Sequence, residues 1–352
     1  MIEVPTIPPE FPRLEREYPI SPRENIMRMM RHEKPAWMPT FSSSVYIAPT
    51  LSNGDMPADM FADSIDWFGT KYRMSEAQGS NTPQPGMFGE ITEWRDKVAF
   101  PDLGAWDFMK GYEDFSPDAA VATIAWLGNG LFERLHIFEG FENALVDLIS
   151  APEECMAFFE RMVDHRLEVF KRLNDIYHYD FIIYNDDWGT MKGPFFSMSL
   201  FEQTLLGPTK RLVKGMQAEG TLVHFHNCGK IEDFVPYLVE EIGTDGLQIQ
   251  PSLNDVKALL ARYGDKVTID FTPDKYRMFD PAATPDGARE YAREIVDAYG
   301  AHVNPGAGVF VIAFARTEEI YRAFEDELYE YSIEKYKNCQ ENDRGEEHGV
   351  KL

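Results

Sequence analysis

The sequence predicts an α/β fold, a (β/α)8 barrel of the TIM type, from three observations. The 352-residue chain is 44% hydrophobic and 13% aromatic, which is ample material for a large core. Its second half alternates short apolar runs with longer amphipathic segments, the pattern of parallel strands joined by helical crossovers. No Gly-rich phosphate turn follows the first of these strands, which favours a barrel over a doubly wound sheet.

Short apolar runs predict seven strands, and the eighth strand of the barrel stays unassigned. The predicted strands are 37–41, 122–126, 181–184, 222–225, 246–249, 267–270 and 309–312. Amphipathic periodicity predicts helices between them. The predicted helices are 152–178, 198–219, 231–242, 254–263, 284–299 and 317–334.

The helix predicted over 152–178 has the clearest signals. Pro152 suits a first helical position, and Glu153 and Glu154 lie at the positive end of the helix dipole. Apolar residues then recur on one face, which is typical of a helix packed on a core. They are Phe159, Met162, Val163, Val169, Phe170 and Leu173.

We predict a single barrel domain over residues 1–352 with three additions. Residues 1–20 form an N-terminal extension. Residues 47–118 are rich in Pro, Gly, Met and acidic side chains and show weak periodicity, so we interpret them as an elaboration of the barrel mouth. Residues 340–352 are polar and charged and predict a frayed tail.

The charge balance excludes two classes of partner. Lys and Arg total 34 against 59 Asp and Glu, a net charge of -25, which repels nucleic-acid phosphates and anionic lipid headgroups. No signal peptide and no membrane span are evident, and three cysteines form no disulfide framework. These features predict a cytoplasmic protein, with a homodimer left open.

Polar residues at strand ends are the candidate active-site groups, because barrel enzymes place catalytic side chains at the C-terminal ends of their strands. Asp186 and Asp187 follow the strand 181–184. Successive side chains alternate in an extended chain, so one carboxylate faces the cavity and the other caps or orients the loop. Turn chemistry alone is the alternative, since Asn, Asp and Gly favour turns.

The second candidate is His226-Asn227-Cys228, which follows the strand 222–225. A His-x-Cys pair puts imidazole and thiol on the same side of an extended segment, and the two suit Zn²⁺. A packed histidine beside a small buried thiol is one alternative. A nucleophilic Cys–His pair is another.

Further strand-end groups suggest contacts with a substrate. Gln248, Gln250 and Asp270 end or follow apolar strands, where amides and carboxylates face ligands. Glu133 is a candidate of the same kind, with an ion pair within its helix as the alternative.

These residues together resemble the uroporphyrinogen decarboxylase-like superfamily, whose members are (β/α)8 barrels. The resemblance runs from about residue 20 to 334, and the motifs that carry it agree in order and spacing. They lie at 131–143, 185–190, 226–230, 245–251 and 263–267.

Within that superfamily, the chain departs from the true porphyrin-pathway decarboxylases. Those enzymes grip substrate carboxylates with an N-terminal stretch that contains arginines. The matching residues here, 34–44, contain no arginine, and a substrate with eight carboxylates needs cationic partners. Decarboxylation of uroporphyrinogen is therefore not expected.

The chain is closer to the corrinoid-dependent methyltransferases of the superfamily, including O-demethylase subunits. The resemblance implies zinc bound through His-x-Cys and a later cysteine near the final strand. His226 and Cys228 match, but 309–313 contains no cysteine, and Cys339 lies beyond the last predicted helix. Asp187 or Asp270 would then complete the ligand set; alternatively the site is metal-free and Asp187 and His226 act as acid and base.

The expected function is transfer of a methyl group from a small O- or N-methyl compound to a separate corrinoid protein. Zinc would be bound by His226, Cys228 and Asp187, and the chain has no cobalamin-binding Asp-x-His-x-x-Gly motif, so cobalamin would arrive on the partner. One alternative is a decarboxylase or lyase of a small carboxylated substrate, with Asp186 and Asp187 as the acid. The other is a non-catalytic ligand-binding barrel.

Overall fold

The computed structural model forms two compact units, each built from several stretches of chain. Unit 1 comprises Met1–Val45, Asp118–Ala122 and Ile249–Leu352, and unit 2 comprises Tyr46–Pro117 and Thr123–Gln248. The structure describes residues 11, 13–48, 53–57, 59, 61–75 and 79–346, with the backbone alone for 275, 276 and 338–346. The single-domain organisation, with its extension over 1–20, stays a prediction.

The described residues contain ten strands and twelve α-helices. The strands are β1 (Val45–Ile47), β2 (Ser64–Ile65), β3 (Lys71–Ser75), β4 (Ser80–Gln84), β5 (Ala122–Leu127), β6 (Phe181–Asn185), β7 (Leu222–His226), β8 (Gly246–Ile249), β9 (Thr268–Phe271) and β10 (Val309–Val311). The helices are α1 (Pro22–Met30), α2 (Phe41–Ser44), α3 (Trp94–Lys97), α4 (Leu131–Glu139), α5 (Phe141–Ser150), α6 (Pro152–Tyr177), α7 (Met198–Thr204), α8 (Leu206–Ala218), α9 (Val256–Tyr263), α10 (Lys275–Phe279), α11 (Pro285–Tyr299) and α12 (Glu318–Glu346).

Most residues of β1, β5, β6, β7 and β8 lie in unit 2, where these strands follow chain order in one sheet and β5 to β8 are parallel. The register places Phe181 beside Ile124 and Leu222, and Gly246 beside His224. Helices α6 and α8 provide the crossovers between these strands, because parallel neighbours need a long connection. The predicted strands 122–126, 181–184, 222–225 and 246–249 are confirmed, within one residue at each end.

The described residues of the mouth elaboration predicted over 47–118 lie in unit 2, except Asp118, and contain the antiparallel sheet β2-β3-β4. Buried ion pairs fix this region to the helices of the same unit. Arg134 of α4 binds the carboxylates of Asp55 and Asp66, and Arg166 of α6 also binds Asp55. That the elaboration covers the site stays a prediction.

Unit 1 contains the parallel pair β9 and β10, with Asp270 opposite Phe310. Helices α11 and α12 pack against each other. The strand predicted over 37–41 is wrong, since Thr40 makes a single bridge to Val311 and α2 begins at Phe41. The Thr40 hydroxyl, which donates to the Glu325 carboxylate at 2.8 Å, holds the chain in this turn.

Three predicted helices differ in their limits. The segment 198–219 is two helices, α7 and α8, because Pro208 cannot donate a backbone hydrogen bond to the preceding turn. Within 231–242 a π-helix spans Tyr237–Ile242. Helix α12 reaches Glu346, so residues 340–346 of the predicted frayed tail are helical and Cys339 lies inside α12. Residues 347–352 of that tail lie outside the described chain.

Parallel strands that alternate with helices make this an α/β fold of the TIM-barrel type, as the sequence predicts. None of the described helices combines the length and the apolarity that a bilayer crossing requires.

Candidate metal centre

Asp187, His226 and Cys228 meet at the C-terminal ends of β6 and β7. Each offers one ligand atom, and these atoms all lie within 4.8 Å of one another. The Nε2 atom of His226 is 3.3 Å from the Cys228 Sγ and 3.6 Å from the Asp187 Oδ1. All three residues are half-buried, so the group is open to a ligand on one side.

The register of the sheet explains why these residues meet. Strands β6 and β7 are parallel neighbours, and Asn185 at the end of β6 lies opposite His226 at the end of β7. Two loops that leave adjacent strands at the same level run side by side. Asp187 follows Asn185 by two residues, and Cys228 follows His226 by two, so the ligand atoms reach one place.

The donor set fits a zinc ion. An imidazole nitrogen, a thiolate and a carboxylate oxygen are the zinc ligands common in proteins, and catalytic sites supply three of them and leave a fourth position open. The Nδ1 atom of His226 forms a hydrogen bond with the Gln248 side-chain oxygen. Since an amide oxygen only accepts, Nδ1 carries the proton and the Nε2 lone pair faces Cys228 and Asp187.

The adjacent carboxylate, Asp186, points the other way. It is fully buried, and its two oxygens accept the backbone N–H groups of Phe132 at 3.2 Å and Glu133 at 3.0 Å, in the first turn of α4. Gly130 permits this approach, since a Cβ there would lie 2.1 Å from the Asp186 Cβ. These contacts make Asp186 the cap of α4, and its role as a catalytic acid stays a prediction.

Glu133 carries the most perturbed carboxyl group of the site region. Its Oε2 accepts the Gly130 N–H at 2.8 Å, and the Asn185 amide donates to its Oε1 at 3.1 Å. Burial, and after it the nearby carboxylates of Asp187 and Asp186, raises the pKa of Glu133. A carboxyl group in this setting retains a proton at a higher pH than an exposed one.

The remaining candidates lie in different places. Gln248 is buried in β8 and contacts His226, which the sequence did not indicate. Gln250 is exposed after β8, and Asp270 is buried in β9, both within unit 1. Their roles as substrate contacts stay predictions. Of the two carboxylates considered as the third ligand, Asp187 belongs to the group with His226 and Cys228.

Sequence reasoning missed Trp126. Its ring lies near the C-terminal end of β5, with its centroid 5.7 Å from that of the His226 imidazole. The rule that selected the other candidates could have found it, because Trp126 is the penultimate residue of a strand in the same sheet. An aromatic ring at this position adds an apolar wall beside the candidate metal ligands.

Solved structures that resemble the chain share little sequence with it. The L-ribulose 3-epimerase structure is 9% identical with a TM-score of 0.41, covering 69% of this chain and 84% of that one. The endo-1,4-beta-xylanase from Caldicellulosiruptor owensensis is 13% identical with a TM-score of 0.34, covering 64% of this chain and 76% of that one. No curated protein matches the chain significantly.

The family model described as uroporphyrinogen decarboxylase (URO-D) matches residues 136–317. That match spans slightly more than half of the chain and includes His226 and Cys228 with the strands that position them. The chain therefore belongs to the uroporphyrinogen decarboxylase (URO-D) family of α/β-barrel enzymes.

Proposed function

We propose that this protein transfers a methyl group from a small O- or N-methyl compound to a corrinoid protein, in a site that contains zinc. The observation that carries the proposal is the meeting of Asp187, His226 and Cys228, whose ligand atoms lie within 4.8 Å of one another. Asp187 takes the place of the cysteine that the chain lacks near β10. A nitrogen, sulfur and oxygen set with an open side suits catalysis better than a closed structural site.

The three residues would hold the metal, and Gln248 would orient His226 through its Nδ1 hydrogen bond. When bound, zinc supplies a Lewis acid that polarises a methylated heteroatom or a thiol. Trp126 beside His226 provides an apolar surface against which a methyl-bearing compound can pack.

Glu133 supplies the proton that the reaction needs. When the methyl group leaves, the electron pair of the broken carbon–heteroatom bond stays on the oxygen or nitrogen, which must then be protonated. The raised pKa of Glu133, caused first by burial, keeps a proton on its carboxyl oxygen near neutral pH. Before the methyl group is transferred, the protonated carboxyl group of Glu133 would donate a hydrogen bond to the substrate heteroatom. This agrees with a substrate-binding role for Glu133.

The methyl acceptor is the reduced cobalt of a cobalamin-type cofactor carried by a separate corrinoid protein. The proposed partners are therefore the corrinoid protein and a small methylated substrate. Gln250 and Asp270 are proposed as further contacts to that substrate.

A second candidate is decarboxylation of a small carboxylated substrate, and the Glu133 carboxyl group favours it. Loss of carbon dioxide leaves an electron pair on carbon, and a buried acid with a raised pKa can protonate that carbon. Release of carbon dioxide from a carboxylated substrate, without any corrinoid protein, would support this candidate over methyl transfer.

Metal analysis of the purified protein tests the proposal. We expect one zinc ion per chain in the wild-type protein and almost none in Cys228→Ala. Cys155→Ala is the matched control, since Cys155 is a fully buried core residue of α6 and should leave the zinc content unchanged. The wild-type protein with a panel of methylated donors and reduced corrinoid protein should give a methyl-cobalt absorption spectrum.

Two results would contradict the proposal. One is the absence of zinc from wild-type protein purified without chelators. The other is a zinc-loaded protein that gives no methyl-cobalt spectrum with any ether or amine donor.

A further inference from the structure

The pairing of β6 and β7 continues past the strand ends into the two loops that carry the metal ligands. Four backbone N–H groups, two from each loop, donate across the gap. They are Asp186 N–H to the His226 carbonyl at 3.2 Å, Trp188 N–H to the Asn227 Oδ1 at 3.0 Å, Cys228 N–H to the Asp187 Oδ1 at 2.7 Å, and Lys230 N–H to the Thr190 carbonyl at 2.8 Å. Residues 186–190 are thereby joined to residues 226–230 along their whole length.

Two glycines allow this close approach. A Cβ on Gly229 would lie 2.4 Å from the Gly189 carbonyl carbon, and a Cβ on Gly189 would lie 2.6 Å from the Cys228 carbonyl oxygen. Both distances are shorter than real Cβ contacts, and the neighbouring atoms are backbone, which cannot rotate away. Gly229 also has a φ of +87°, a conformation that favours glycine.

At Asn227 a side-chain oxygen, and not a backbone carbonyl, accepts the hydrogen bond from the opposite loop. Its side chain is 1% exposed, and its Oδ1 accepts the Trp188 N–H. Among the described residues its Nδ2 has no hydrogen-bond partner. A buried amide nitrogen without a partner costs free energy, so the gain from Asn227 lies in the oxygen that binds the opposite loop.

From these contacts we infer that Asn227, Gly189 and Gly229 are positioning residues, which fix the distance between Asp187 on one loop and His226 and Cys228 on the other. The inference rests on the proposed zinc site. A zinc ion requires its ligand atoms within a few tenths of an ångström of their ideal distances. Ligands contributed by two loops meet that requirement only where the loops are held together.

Gly229→Ala tests the inference against Gly220→Ala as a matched control. Gly220 precedes β7 at its opposite end and has a φ of +83°, but a Cβ there would meet no atom within 4 Å. Both variants therefore carry the same backbone strain, and only Gly229→Ala pushes the loops apart. We expect zinc affinity, measured by chelator competition, to fall roughly 10–100-fold in Gly229→Ala, as for the loss of other groups that orient metal ligands. Gly220→Ala should retain wild-type affinity.

Substitutions of Asn227 provide a second test, because their effect on zinc affinity distinguishes a positioning role from a purely structural one. Asn227→Leu removes the acceptor for the Trp188 N–H, whereas Asn227→Asp keeps it in a side chain of the same shape. We expect zinc affinity to fall in Asn227→Leu and to return in Asn227→Asp. Cobalt(II) in place of zinc gives a second readout, since its thiolate-to-metal absorption should weaken in Asn227→Leu and persist in Asn227→Asp.

Amide hydrogen exchange in the metal-free protein separates this inference from the proposed function. The N–H groups of Trp188, Cys228 and Lys230 should lose protection in Gly229→Ala and keep it in Gly220→Ala. If the wild-type protein binds no zinc, the proposed function fails, and the exchange result alone decides whether the loops are held as inferred. Equal zinc affinity and equal amide protection in Gly229→Ala and Gly220→Ala would overturn the inference, as would undiminished zinc binding in Asn227→Leu.

Discussion

Consecutive residues of α4, Glu133 and Arg134, belong to two clusters of buried charge with opposite properties. Arg134 is fully buried and binds the carboxylates of Asp66 and Asp55, each at 2.6 Å. Arg166 binds the second oxygen of Asp55 at 2.9 Å. Two cations thus face two anions, and the cluster is balanced.

The cluster around Glu133 gathers charges of one sign. Its carboxyl group lies near those of Asp187 and Asp186, and together with burial they raise its pKa. Its hydrogen-bond partners are the Asn185 amide and the Gly130 N–H, which are neutral. The balanced cluster contributes to the stability of unit 2, whereas the acidic cluster favours a proton on Glu133.

Arg134→Met should break the balanced cluster and give the largest effect. It leaves Asp66 buried without its guanidinium partner and Asp55 with one cation in place of two. Removal of one partner from a buried ion pair costs about 3–5 kcal/mol, and we expect a loss of that size in the free energy of unfolding by urea denaturation.

Arg322→Met is the control for Arg134→Met. Arg322 forms an exposed pair with Glu318 one turn away in α12, and such pairs contribute about 0.5 kcal/mol or less. A similar small loss in both variants would show that the buried cluster does not stabilise unit 2.

Glu133→Gln should lower activity without lowering stability, unlike Arg134→Met. Loss of the proposed proton donor should lower the rate of the proposed methyl transfer roughly 100-fold, the lower range for general acids. The pKa of Glu133 is raised in the folded protein, so its contribution to stability is lost as the pH rises through that pKa. At pH 8 the variant should therefore be as stable as the wild type or more so, as urea denaturation can measure.

Glu139→Gln tests, away from the site, how a buried carboxyl group with a raised pKa makes stability depend on pH. We expect a smaller effect than for the two preceding variants. Burial, and then the neighbouring Asp147 carboxylate, raises the pKa of Glu139 to about 9 from an ordinary value of 4.5. Wild-type stability should decline as the pH rises between those values, and Glu139→Gln should remove roughly 1–2 kcal/mol of that decline. Denaturation at pH 5 and pH 9 measures the difference.

The two glutamate variants are also compared by their activity in the proposed methyl transfer. Glu139 lies at the far end of α4 from the metal ligands, so its variant should keep full activity. A loss of activity equal to that of Glu133→Gln would mean that the acidity of Glu133 is not special to the site. The exposed Glu142→Gln on α5 should change neither quantity.

Much of the fold follows from local pattern, and the exceptions arise from a proline within one segment and from a distant contact in another. The runs at 181–184 and 222–225 become β6 and β7 because all of their side chains except that of Leu222, which is half-buried, are buried on one of two covered faces. The break between α7 and α8 was missed, although Pro208 marks it. Local pattern predicts a strand over 37–41 because the polar contact that turns the chain there, Glu325, lies far along the chain.

Some residues of the candidate site could likewise be predicted from local pattern, and others could not. His226, Cys228 and Asp187 could be predicted because each lies within three residues of a recognisable strand end. The contact of Gln248 with His226 depends on the register between β7 and β8, which no local pattern specifies. The acceptor role of Asn227 depends on an N–H group 39 residues away, so it too required the three-dimensional structure.

All three proposed ligands lie in one strand–helix–strand repeat, between Asp187 and Cys228. Closing a loop of this length costs little more entropy than closing a short one. Synthesis of the chain from its N-terminus delivers the whole ligand set before β9 and β10 have been made. The proposed zinc site would therefore form early in folding, and a bound ion would stabilise the growing sheet at its middle strands.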